Sequence, residues 1–131
     1  MQVTTTCLTN NHAGIPAELA ALDSDSSLLL LFGTSGLIDQ PDRIAQVMAA
    51  CPRSHVMGCS TAGEIHGAEI SDDSLVVAAV RFEKTRLITT HAAVHNPKDS
   101  YAAGQAIAAS LQNPALRGLL VLSDGLHVNG S

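Results

Sequence analysis

Residues 27–58 read SLLLLFGTSGLIDQPDRIAQVMAACPRSHVMG, and this stretch decides the fold class. It opens with a continuous apolar run, Leu28 to Phe32, closed by Gly33. A short run of that kind suits a strand buried on both faces. Next, DQPDRIAQVMAACP places Ile44, Val47, Met48 and Cys51 at i, i+3, i+4 and i+7. Pro41 stands near its start and Pro52 beyond its end, so this segment predicts a helix. SHVMG then returns to strand character. Strand, helix and strand in that order make a unit whose two strands run parallel, joined by a right-handed crossover.

The rest of the chain extends this unit. Residues 2–9, rich in Thr and Val, predict a first strand, and Pro16 opens a short helix carrying Leu19 and Leu22, stopped by DSDSS. SLVVAAVRFEKTRLITTHAAV reads as two strands, about 75–82 and 86–94, joined at Glu83-Lys84-Thr85. A loop that short makes them an antiparallel hairpin. DSYAAGQAIAASLQNP predicts a helix capped by Asp99 or Ser100, and RGLLVLSDG a last buried strand at Leu119 to Leu122. The predicted class is α/β: a mixed, mostly parallel sheet with an antiparallel hairpin at about 75–94 and helices packed on it.

Composition narrows the function. The 131 residues fit one domain, and 46% are hydrophobic against 15% charged. With no Trp, one Tyr, two Phe and a net charge of −5, the chain lacks the stacking platforms and basic surface of a nucleic-acid binder. Its longest apolar run is far short of a membrane span, and the N-terminus MQVTTTCLTNN carries no secretory pattern. Cys7, Cys51 and Cys59 form no CxxC pair, which suits reduced thiols and a cytoplasmic location.

Three strands expected to run parallel end in similar loops. They are Gly33-Thr34-Ser35-Gly36, Gly58-Cys59-Ser60-Thr61-Ala62-Gly63-Glu64 and Ser123-Asp124-Gly125-Leu126-His127. Ligands of open α/β sheets bind outside the carboxyl ends of the strands. The candidate ligand-binding residues are therefore Thr34, Ser35, Gly58, Cys59, Ser60, Thr61, Gly63, Glu64, Ser123, Asp124 and Gly125. Glycines let backbone N–H groups approach a ligand, and the hydroxyls supply short donors and acceptors. The same residue types also make ordinary turns. No P-loop spacing is present and no Lys or Arg lies in these loops, so a polyphosphate finds no counter-charge there. Glu64 and Asp124 would face an amine while backbone N–H groups and hydroxyls take a carboxylate. A small zwitterionic or polar ligand suits that mixture.

Two sharper chemistries compete. Cys59 on a strand-to-loop turn is a candidate nucleophile, but no helix follows it to lower its pKa, and an inert, buried or half-buried thiol is expected. His55 begins the strand that Cys59 ends, about 13 Å away along it. His12, His55, His66, His91, His95 and His127 show no HExxH and no zinc quartet, so no metal site is expected. An axial haem ligand needs only one histidine, so haem stays open.

VMGCSTAGEI after a strand, preceded by LLLLFGTSG and an amphipathic helix, resembles the N-terminal FIST domain, a family named for F-box and intracellular signal transduction proteins. GLLVLSDGLHVNGS is similar to a later segment of that family. The resemblance implies a non-enzymatic sensory domain, without a resident cofactor, that binds a small ligand such as an amino acid. It would signal to an output domain or a histidine kinase. Some relatives resemble haem-binding nitric-oxide sensors, which keeps a haem-binding domain as the first alternative and an enzyme using Cys59 as the second. The family signature falls on Gly58, Cys59, Ser60, Thr61, Gly63 and Glu64, and more loosely on Asp124, Gly125 and Asn129. The family's domain continues past the equivalent of Ser131, so residues 1–131 are expected to be a single sensory domain truncated at its C-terminal end. Self-association, or poor order at residues 126–131, would follow.

Overall fold

The computed structural model describes residues 1–9, 14–34, 36 and 41–123. The chain divides into two compact units, Met1–Leu87 and Ile88–Ser131.

The first unit is built on β1 (Gln2–Thr9), β2 (Ser27–Thr34), β3 (His55–Thr61) and β6 (Ser74–Arg81), in the order β1-β6-β2-β3. Helix α1 (Ala17–Ala20) connects β1 to β2 and α2 (Pro41–Ala50) connects β2 to β3, and β4 (Glu64–His66) pairs with β5 (Glu69–Ser71) as a small separate hairpin. The α/β class and the mixed sheet are as predicted. β2 and β3 run parallel, with Leu28 opposite His55 and Thr34 opposite Thr61. β6 runs antiparallel to both of its neighbours, β1 and β2.

That central position of β6 corrects two expectations. Both of its edges are occupied, so the hairpin expected at about 75–94 has no ladder to join. Residues 86–94 carry no strand, and the described sheet holds one parallel pairing rather than a parallel majority.

Strict alternation organises the core. Ser27, Leu29, Leu31 and Gly33 are buried, while Leu28, Leu30, Phe32 and Thr34 between them are half-buried. The apolar run is thus fully buried on one face only. On that face Leu29, Leu31, Leu75, Val77, Ala79 and Leu8 join Leu19 of α1, Val47 of α2 and Cys51 in one cluster. Ile44 packs against it, but Met48 is 50% exposed, because the helix turns it past the edge of its apolar stripe. Cys51 extends α2 by one further bond, its N–H reaching the Val47 carbonyl at 3.2 Å. Burial raises the Cys51 thiol pKa, with the Asp23 carboxylate adding to the rise.

In the second unit, a 3-10 turn at Pro97–Asp99 leads into α3 (Ser100–Ser110). Asn96 starts that turn by accepting the Lys98 N–H on its side chain at 3.0 Å. The strand expected at Leu119 to Leu122 is absent: residues 116–123 carry no regular structure, and Leu119 and Val121 are exposed. An apolar run becomes a strand only where a neighbouring edge supplies its hydrogen bonds. None does so among the described residues. The expectation of disorder or self-association at residues 126–131 lies outside the described residues.

Candidate functional site

The carboxyl ends of β2 and β3 carry the first two predicted loops. The parallel register sets Leu31 opposite Gly58, Phe32 opposite Cys59, Gly33 opposite Ser60 and Thr34 opposite Thr61. Side chains alternate across a sheet, so the motif is divided between its faces. Gly58 and Ser60 lie on the α2 side, with Leu31 and Gly33. Thr34, Cys59 and Thr61 lie together on the other. Thr34 and Thr61 are half-buried, whereas Gly58, Cys59 and Ser60 are exposed.

The exposure of Cys59 departs from the buried or half-buried thiol expected. Its cause is topological: among the described residues β3 has one strand neighbour, β2, so its far side is an edge. An edge strand presents backbone N–H and C=O groups that no ladder uses. Cys59 is a free thiol, as are half-buried Cys7 and buried Cys51.

Glu64 takes a different place from the one its sequence context suggests. It is 3% exposed, at the start of β4. Thr61 Oγ1 donates to its Oε1 at 2.6 Å, and Ser74 Oγ donates to its Oε2 at 3.2 Å. Ser74 is itself fully buried and begins β6, opposite Thr9 of β1. A buried carboxylate needs hydrogen bonds to offset its lost hydration, and these two hydroxyls provide them. Glu64 therefore ties the end of β3 to the start of β6, and it holds the Thr61 hydroxyl in place. Gly63, half-buried, lies in the short link between β3 and β4.

Ser74 was missed in the sequence, since nothing local marks a serine that begins a strand as a carboxylate partner ten residues from Glu64. The β4–β5 hairpin was missed as well, although EIHGAEIS carries a signal for it. Gly67 opens a two-residue turn with φ 64°, a left-handed conformation that glycine adopts at little cost. The hairpin leaves the opposed Ile65 and Ile70 exposed at 70% and 76%.

The third predicted loop begins at Ser123, an exposed residue of the second unit. Ser35, Asp124 and Gly125, and with them His12, His127 and Asn129, lie outside the described residues. Among the described residues no three His, Cys, Asp or Glu side chains gather as metal ligands would. No described helix is long and apolar enough to cross a membrane.

The FIST N domain family model matches residues 27–131, from the first residue of β2 through the β2–α2–β3 unit and onward. The chain belongs to the FIST N domain family. Neither a curated protein nor a solved structure matches it. FIST N membership makes this a domain of sensory signal transduction in general.

Proposed function

We propose that this FIST N domain is a cytoplasmic, non-enzymatic sensor of a small polar ligand, an amino acid or a close analogue, and that it works without a bound cofactor. The supporting observation is the register at the carboxyl ends of the parallel strands, where Thr34 faces Thr61 and Gly33 faces Ser60. Ligand would meet the Thr34 and Thr61 hydroxyls, which share one face of the sheet, and the free backbone edge beside Cys59. Glu64 is a positioning residue in this reading: it orients Thr61 rather than pairing with a ligand amine. Occupancy would be passed to a signalling output domain or a histidine kinase.

The test is a thermal-shift screen of the amino acids. A ligand at 100 times its Kd stabilises the folded state by about 2.7 kcal/mol. The expected result is a shift with one or a few amino acids that is lost in Thr61→Val and Thr34→Val. A shift of equal size in both variants, or none with any amino acid, would overturn the proposal. Addition of haem is the control for the gas-sensor alternative, which predicts a Soret band removed by one His→Ala change.

One observation favours a second reading. Cys59 is exposed and accessible to an electrophile, as a nucleophile must be. That reading requires stoichiometric alkylation of Cys59 at neutral pH, much faster than for a free cysteine peptide.

A further inference from the structure

At the opposite edge of the same sheet, where β2 and β3 begin and β6 ends, lies an open cavity of about 490 Å³. Its lining includes Asp25, His55, Glu83, Lys84, Arg86 and Leu87. The loop after β6 is held there by the Phe82 N–H, which donates to the Ser26 carbonyl at 3.0 Å.

The charge of this edge differs from that of the chain. The protein carries a net charge of −5 and only seven Lys and Arg. Four of those seven, Arg53, Arg81, Lys84 and Arg86, are gathered at this edge, along with the amino terminus. The carboxylates nearby are already matched. Asp25 accepts from Arg53 Nε at 3.2 Å and from Nη2 at 2.9 Å, a two-pronged pair that lowers the Asp25 pKa. Glu83 pairs with the amino terminus. Asp23 accepts from the Arg53 backbone N–H and the Ser54 hydroxyl. Among the described residues, neither Lys84 nor Arg86 takes part in an ion pair. Two cations thus flank the cavity in excess, beside the imidazole of His55.

We propose that this cavity is a second ligand site, one that takes a small oxyanion-bearing molecule, a dicarboxylate or a phosphomonoester. Arg86 supplies the planar fork that matches a carboxylate or phosphate, and Lys84 a mobile point charge. Leu87 and the side-chain stems offer apolar contact to a short carbon chain. The site is independent of the one at the carboxyl ends of the strands, and its failure would leave that reading untouched.

The test follows the His55 ring protons by NMR during titration with inorganic phosphate and, separately, with succinate, against sodium chloride at equal ionic strength. The expected result is a saturable shift with at least one of the two anions and none with chloride. Which anion saturates first identifies phosphate or carboxylate as the group recognised. Lys84→Gln and Arg86→Gln should each weaken binding roughly tenfold, a change that corresponds to about 1.4 kcal/mol. Both side chains are exposed, so the variants should keep the wild-type urea midpoint. A non-saturable shift, a shift reproduced by chloride, or an affinity unchanged in the double variant would overturn the proposal.

Discussion

Leu31 lies directly opposite Gly58 in the β2–β3 ladder, and a Cβ added to Gly58 would stand 2.9 Å from Leu31 Cβ and collide with the Leu31 carbonyl. Gly58 is therefore a packing requirement of the parallel pair. Gly58→Ala should destabilise the first unit by about 1–3 kcal/mol, the usual cost of overpacking. Urea unfolding would show this as a lower midpoint at unchanged slope. A midpoint equal to that of the wild type would mean that the strands part freely at this point.

The tie through Glu64 yields a paired prediction. Glu64→Ala leaves the fully buried Ser74 hydroxyl without its acceptor, at a cost of about 1–3 kcal/mol. Glu64→Gln keeps the shape and one acceptor oxygen, so it should cost less. If Glu64 positions Thr61, the Gln variant retains a thermal shift with amino acids. Loss of that shift at undiminished stability would instead put Glu64 in contact with ligand.

Alternation along β2 predicts unequal costs for neighbouring leucines. Leu29 is 1% exposed in the core cluster, whereas Leu30 is half-buried. Leu29→Ala should cost about 2–5 kcal/mol, as buried leucines do, and Leu30→Ala clearly less. Equal losses measured by denaturation would show that both faces of the strand are equally packed.

The thiols should separate by accessibility and by pH. At neutral pH an alkylating reagent should modify Cys59 first, Cys7 more slowly and Cys51 only on unfolding, as read by mass spectrometry of digested peptides. Cys51 also sets an alkaline limit. Its folded pKa is raised above the ordinary value of 9.0, so the stability linked to its neutral form is complete below pH 9.0. That contribution is lost as pH rises from there through the folded pKa. Cys51→Ala should flatten this part of the stability–pH curve, and an unchanged slope would assign the loss to other groups.

The local pattern by itself determined the elements near the site. Ile44, Val47 and Cys51 recur at helical spacing and produce α2. Leu28 to Phe32, with Gly33 closing the run, produces β2, and the crossover makes β2 and β3 parallel. Those choices rest on interactions within a few residues, so they are written in sequence spacing. Only the tertiary structure decided who pairs with β6. A hairpin partner at 86–94 and the distant strands β1 and β2 offer similar backbone edges, and the choice depends on which arrangement buries Leu75, Val77 and Ala79 against the helices. The same holds for Glu64. Its sequence setting suits a ligand contact as well as a buried tie, and what separates them is Ser74, brought to 3.2 Å by the sheet. The cavity beside His55 is wholly tertiary, because Asp25, His55 and Arg86 come from three separate segments that meet only when the sheet forms.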